Sequence, residues 1–253
     1  MQPESQRAAE SDPGGRAAVA RGTPEPAEGS DEFGNRPTDR RRHHVLRTDW
    51  PRHRSPITRA TPLDMTATCH REGVESDVEF RILGRTELTR VAEIDRRERI
   101  EVLYDQHGTE LVERRGNWDA PAWDPDGNGE HSVQAHVHAL RHYVDGGGIA
   151  LGAFAGSRLV GIGVVVPHLR PRIAQLAFLH VSASWRSTGI GGRLTEQLEE
   201  IARAAGDSDM VVSATPSENT VRFYLGRGFQ PMAEPLAELF EQEPEDVHML
   251  KVL

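Results

Sequence analysis

Apolar positions are scattered without period through the first 75 or so residues, and from Val78 onward they recur in runs that can be read as elements. Val78-Glu79-Phe80-Arg81-Ile82-Leu83 alternates and predicts a first strand. Leu88, Val91, Ile94, Ile100 and Leu103 fall at helical spacing, predicting a helix from Thr86 to about Tyr104. Residues 118–130 (WDAPAWDPDGNGE) are rich in turn formers and predict a loop. A second helix is expected from His131 to about Val144, stopped by Gly146-Gly147-Gly148. Ile149 to Phe154 and Leu159 to Val166 read as a hairpin about Ala155-Gly156-Ser157-Arg158. There follow a strand over Leu176–Val181, a helix over Gly189–Ala205, a strand over Met210–Ala214 and a helix over Glu218–Leu225. Gly226-Arg227-Gly228 stops that helix, and Val247–Val252 closes as a strand. The resulting order, β-α-α-β-β-β-α-β-α-β, is that of an α/β fold with a mixed central sheet flanked by helices.

Composition divides the chain at the same place. Residues 1–76 are rich in Pro, Gly, Arg, Glu and Ser, a composition unable to bury a core, and are expected to form a disordered extension. Residues 77–253 suffice for one domain. Residues 1–60 carry 11 arginines against 9 acidic residues, leaving the remainder with 19 basic and 30 acidic groups, a net charge of −11. That balance argues against nucleic-acid binding by the folded part and favours a cationic partner. The basic cluster Arg40-Arg41-Arg42-His43-His44 reads as solvated chain.

A lone cysteine, Cys69, excludes an internal disulfide and fits a reducing, cytoplasmic setting. No run approaches the 18 or so apolar residues of a membrane span, and no hydrophobic signal segment is seen at the N-terminus. Lys251 is the only lysine, so no lysine chemistry is available elsewhere.

The densest chemical signal is Arg186-Ser187-Thr188-Gly189-Ile190-Gly191-Gly192-Arg193, set between the strand ending at Val181 and a helix. A glycine turn entering a helix presents unpaired N–H groups at the positive end of the helix dipole, an anion site suited to phosphate or pyrophosphate. A P-loop requires Lys-Ser/Thr after the last glycine, where this chain has Arg193-Leu194. A dinucleotide fingerprint requires a third glycine where Leu194 stands, and an acidic residue ending the next strand. Both fail.

Arg186-x-x-Gly189-Ile190-Gly191 resembles the coenzyme A loop of the GCN5-related N-acetyltransferases (GNAT family). Ser217-Glu218-Asn219-Thr220-Val221-Arg222-Phe223-Tyr224-Leu225-Gly226-Arg227-Gly228-Phe229 resembles the family's later motif, a tyrosine-bearing helix closed by Gly-Phe. The resemblance covers roughly Val78 to Leu253 and implies an acyl-CoA N-acyltransferase fold, with acetyl-CoA as co-substrate and no metal. It implies pyrophosphate binding by the loop from Arg186 through Ser187, Thr188, Gly189, Ile190, Gly191 and Gly192. It further implies pantetheine pairing by Leu179, His180 and Val181, a cofactor contact at Asn219, and protonation of the departing thiolate by Tyr224. Ser217 departs from the asparagine usual at that position, and remains a helix N-cap.

The expected reaction is direct acetyl transfer to a primary amine, on a small cationic molecule in preference to a protein amine. A non-catalytic, regulatory coenzyme A-binding module is the alternative. The proton acceptor is open. By simple alternation Gln175, Ala177 and Leu179 share one face of their strand and His180 the other, leaving no titratable group on the substrate side; His180, which titrates in the right range, Asp95, Glu98 and Glu218 are candidates, as is a water chain to bulk solvent.

Trp118 and Trp123 are expected to wall the acceptor pocket, with Gln175 beside them. His131, His136, His138 and His142 read as polar helix surface, since no Cys or His-Glu-x-x-His pattern accompanies them. Asp124-x-Asp126-x-Asn128-Gly129 lacks a calcium loop's closing Glu, with Ala135 there instead. No membrane partner is expected, and the resemblance implies a homodimer as the assembly to test for.

Overall fold

The structure, a computed structural model, describes residues 65–71, 74–127, 129 and 131–253. The expected disordered extension therefore lies almost wholly outside the described residues, as does the Arg40–His44 cluster. Strand β1 (Met65–Arg71) precedes residue 77, and pairs antiparallel with β2 (Val74–Ile82).

The expected helix over Thr86–Tyr104 is mostly absent. A single 3-10 helix, Glu87–Glu93, ends where Ile94 turns extended (φ −78, ψ 122), and the chain then enters a separate two-stranded ribbon. Its strands are β3 (Glu98–His107) and β4 (Glu110–Ala120), joined through Gly108 at φ 59. Ile100, Val102 and Tyr104 alternate along β3, and pairing with β4 outweighs the weaker i, i+3 match of Ile100 to Leu103. Trp118, expected in a loop, thereby becomes a strand residue opposite Ile100.

The ribbon is tied down through the second half of β3. Tyr104 N–H donates to Pro216 O at 2.9 Å. The Gln106 amide accepts from His248 N–H at 2.7 Å and donates to Met232 O at 2.9 Å, so β3 follows the entrance to the tyrosine helix.

The remainder follows the predicted order. Helix α1 (Val133–Asp145) begins at Ser132, whose hydroxyl accepts Ala135 N–H at 3.1 Å. Then come β5 (Ile149–Ala155), β6 (Arg158–Arg170), β7 (Ile173–Val181), α2 (Ile190–Ala205), β8 (Asp209–Ala214) and α3 (Glu218–Leu225). Short β9 (Gln230–Pro231), α4 (Ala237–Phe240) and β10 (Val247–Val252) finish the chain. The main sheet runs β1-β2-β5-β6-β7-β8-β10-β9, antiparallel except for β7–β8.

Two apolar layers sandwich this sheet. On one face α2 and α3 contribute Leu194, Leu198, Tyr224 and nearby Phe229, packed on Val165, Leu176 and Met210. On the other, α1 and the 3-10 helix contribute Val137, Leu140, Leu88 and Val91 against Ile162 and Val164. Each fully buried leucine contributes about 2 kcal/mol. Helix α2 sits close to β6 because Gly163 has no side chain: a Cβ there would lie 2.6 Å from Leu198 Cδ1. The fold thus brings the glycine turn, α3 and β7 to one edge of the parallel pair.

Candidate cofactor and acceptor site

β7 and β8 pair only through Ile173–Gln175 against Asp209–Val211. Beyond Gln175 they separate, β7 continuing to Val181 while β8 stays with β10 along its whole length. A wedge opens between them, with the Leu176–Val181 backbone free of strand partners on its β8 side and Val181 O accepting from Arg186 Nε at 3.4 Å. A strand edge inside a cleft offers N–H and C=O groups to a ligand that carries amides. Leu179, His180 and Val181 line this edge.

β7 also carries a bulge. Leu176 stands opposite Val165 and Phe178 opposite Val164, so Ala177 is inserted without a partner. The bulge reverses the face pattern expected from simple alternation. Leu176, Leu179 and Val181 pack on the α2 side, whereas Gln175, Phe178 and His180 share the α1 side. The expectation that Leu179 shares a face with Gln175 while His180 opposes it is corrected by this one residue.

At the wide end of the wedge lies the glycine turn. A 3-10 turn, Ala183–Trp185, leads to Ser187 at φ 62 and Gly189 at φ 90, and α2 starts at Ile190. Gly189 is the N-cap and has no side chain to offer, so the first-turn N–H groups of Ile190, Gly191 and Gly192 have no side-chain cap. Cβ atoms at 191 and 192 would meet Phe223 Cε2 at 3.1 Å and Arg227 Nη2 at 2.0 Å, so these glycines also admit α3. Thr188 Oγ1 donates to Trp185 O at 2.7 Å and shapes the loop. The Arg186 guanidinium points back into the protein, donating to Arg96 O at 3.0 Å and Arg97 O at 3.1 Å and lying 3.2 Å from Glu98.

Across the wedge, α3 starts at Ser217, whose hydroxyl donates to Thr220 Oγ1 at 3.0 Å and forms no N-cap bond. Asn219 Nδ2 donates to Glu98 Oε1 at 2.9 Å. Tyr224 is 5 % exposed, with ring contacts to Phe223 and Phe229. Burial, reinforced by the negative charge of Asp246, raises its pKa and holds the hydroxyl protonated.

On the α1 side Trp123, expected as a pocket wall, is 7 % exposed and stacks 4.2 Å from His136 and 5.2 Å from His180, with Arg96 over its ring at 4.7 Å. Its buried Nε1 has no hydrogen-bond partner among the described residues. Trp118 does not join this group. It folds over Gly116 on its own ribbon, with Arg114 5.5 Å above. His136, expected on the helix surface, turns inward, and its Nδ1 meets Ser132 O at 2.9 Å. Burial lowers the His136 pKa and pushes His180 down to about 3, the latter also through His136, Arg96 and Arg186. Both imidazoles are neutral at pH 7.

The carboxylates expected as bases divide sharply. Arg97 holds Asp95 down at about 2, and Glu218 pairs with Arg222 at 2.9 Å. Asp246, which the sequence pattern missed, is pushed up to about 7 by burial and by Glu243 and Glu245. Its nearness to Tyr224 had no signal in the linear sequence. Among the described residues no cluster of His, Cys, Asp and Glu is placed to hold a metal, and no helix is long and apolar enough to cross a membrane.

Residues 120–242 match the family model of the acetyltransferase (GNAT) domain. Among solved structures, the chain is similar to nourseothricin acetyltransferase, with 14 % identity, TM-score 0.53, and coverage of 69 % of this chain and 98 % of that one. It is also similar to a candidate streptothricin acetyltransferase from Bacillus anthracis str. Ames in complex with acetyl coenzyme A. There the identity is 14 %, the TM-score 0.52, and the coverage 70 % of this chain and 98 % of that one. No curated protein matches the chain. Residues 120–242 are thus similar to the acetyltransferase (GNAT) domain, and the fold is shared with these two acetyltransferases.

Proposed function

We propose that the domain transfers the acetyl group of acetyl-CoA to a primary amine by direct attack. The observation that carries this reading is the convergence of two complementary surfaces: an unpaired β7 edge for the amide-bearing arm, and uncapped N–H groups at α2 for the pyrophosphate. The structural neighbour in complex with acetyl coenzyme A supports it. Leu179, His180 and Val181 supply backbone partners, the turn from Ser187 to Gly192 holds the phosphates, and Arg186 braces the turn from behind.

The neutral amine attacks the thioester carbonyl, the tetrahedral adduct collapses, and the carbon–sulfur bond breaks. Tyr224, kept protonated by burial, gives its proton to the departing thiolate. The attacking nitrogen loses a proton to water in the wedge, and Asp246, half-ionised near pH 7, is the carboxyl beside Tyr224 suited to receive it. The one cysteine of the sequence, Cys69, lies on β1, separated from β7 by β2, β5 and β6, so the reading has no covalent intermediate. Gln175, Trp123 and the neutral imidazoles of His136 and His180 line the acceptor side. The acidic balance of the domain, with Glu243, Glu245 and Asp246 on the segment before β10, favours a small cationic amine over a protein amine.

Gln175 favours a second reading, because a non-titrating amide stands where β7 and β8 part: a coenzyme A-binding module without turnover. Thiol release measured across an amine panel separates the two. Turnover that falls about a hundredfold in Tyr224→Phe supports the enzyme. Tight coenzyme A binding with no thiol release on any amine supports the module.

A further inference from the structure

Glu98 lies outside every motif, yet it touches both segments assigned to the cofactor. Its Oε2 is 3.2 Å from Arg186 Nη1, behind the glycine turn, and its Oε1 accepts from Asn219 Nδ2 at 2.9 Å, at the start of α3. The side chain is only 15 % exposed. Its backbone is fixed as well. Ala183 N–H donates to Asp95 O at 2.7 Å, Asp95 N–H donates to Ser182 Oγ at 2.9 Å, and the Arg186 guanidinium donates to the carbonyls of Arg96 and Arg97. The start of β3 is thus a rigid bridge across the wide end of the wedge.

A carboxylate only accepts, so the amide edge of Asn219 that meets Glu98 must be its NH2. The ion pair with Arg186 fixes the Glu98 side chain in place. The Asn219 carbonyl oxygen is then turned away from Glu98 and remains an acceptor. An unsupported asparagine presents either edge with equal ease; this one is held in a single orientation.

We propose that Glu98 is a positioning residue for the cofactor: it locks the Asn219 amide so that Oδ1 accepts an amide N–H of the pantetheine arm. The inference rests on the wedge being the coenzyme A site. A purely structural tie between ribbon and loop predicts something different, because losing it disturbs the phosphate turn as much as the arm.

Calorimetry with two ligands tests this: coenzyme A, and adenosine 3′,5′-diphosphate, which has phosphates but no pantetheine arm. Glu98→Gln is expected to weaken coenzyme A about tenfold while leaving the diphosphate within about twofold. Asn219→Asp alone sets two carboxylates face to face and is expected to show the same selective loss. The double variant Glu98→Gln/Asn219→Asp reverses the bond. Its new amide on β3 donates, the new carboxylate on α3 receives that bond with one oxygen, and the other oxygen stays free to accept from the arm. This variant is expected to recover most of the affinity. Equal weakening of both ligands, tighter binding in Glu98→Gln, or no recovery in the double variant overturns the proposal. If Glu98→Gln fails to fold, Asn219→Asp with the same ligand pair decides. Wild-type protein that binds neither ligand overturns the cofactor reading itself, an outcome distinct from failure of the Glu98 lock.

Discussion

Gln175 and His180 stand on the same face of β7 although five residues apart, because the Ala177 bulge inserts one residue between them. The bulge moves an imidazole out of the α2 layer and into contact with Trp123 on the acceptor side. Deleting Ala177 closes the bulge and restores strict alternation with Leu176 and Leu179 still on the α2 side and Phe178 and His180 still on the α1 side. The expected outcome is a folded variant that keeps cooperative thermal unfolding, read by near-ultraviolet circular dichroism. Loss of cooperative unfolding in the deletion variant would show that the face assignment is mistaken.

His180 makes stability depend on pH in a defined direction. Its folded pKa of about 3 lies below the ordinary value of 6.5, so between these values the unfolded chain binds more protons than the native one. Its contribution is full above about pH 6.5 and declines as the pH falls toward 3. Urea titrations of His180→Phe at pH 4.5 and 7.5 are expected to show a smaller acid-side loss than wild type. An unchanged difference between the two pH values would count against a buried neutral imidazole.

Asp246 acts in the opposite sense. Its folded pKa of about 7 exceeds the ordinary 3.8, so the native state holds its proton where the unfolded chain has lost it. Stability falls as the pH rises from about 4 to about 7. Asp246→Asn is expected to remove that decline and to raise the melting temperature more at pH 7.5 than at pH 4.5. In turnover, the same variant should lose the rise in rate around pH 7; an unaltered pH–rate profile excludes Asp246 from the proton path.

Gly191→Glu places a carboxylate in the first turn of α2, beside Phe223 and against the proposed pyrophosphate site. Coenzyme A affinity is expected to fall at least a hundredfold, about 2.7 kcal/mol, by charge repulsion and blockage. Gly191→Ala is the control. Its Cβ would lie 3.1 Å from a Phe223 ring carbon that can give by a few tenths of an ångström, so a much smaller loss is expected. Equal losses would mean that packing on α3, rather than an anion site, explains the glycine.

Leu198 is fully buried, on the α2 face that covers Gly163. Leu198→Ala is expected to cost about 3 kcal/mol in denaturant unfolding, from lost transfer energy and the cavity left behind. A loss under about 1 kcal/mol would mean that α2 closes onto the sheet without it.

The sequence by itself determined those parts whose causes are local. Gly189 sets a left-handed N-cap, the period of Leu194, Leu198 and Ile201 sets α2, and glycines after Leu225 end α3, so the phosphate turn and the tyrosine helix were readable along the chain. Only the tertiary structure decided the rest. The β3–β4 ribbon depends on pairing between two charged strands, and a window that sees Ile100 and Leu103 alone mistakes the spacing for a helix. The Ala177 bulge is defined by what β6 places opposite it and leaves no mark in composition. Trp123, His136 and His180 come from a loop, a helix and a strand, and Glu98 meets Arg186 and Asn219 across about ninety and one hundred and twenty residues of chain. Local conformational preference writes a turn into a few residues, whereas burial, face and hydrogen-bond partner are properties of neighbours that only folding supplies.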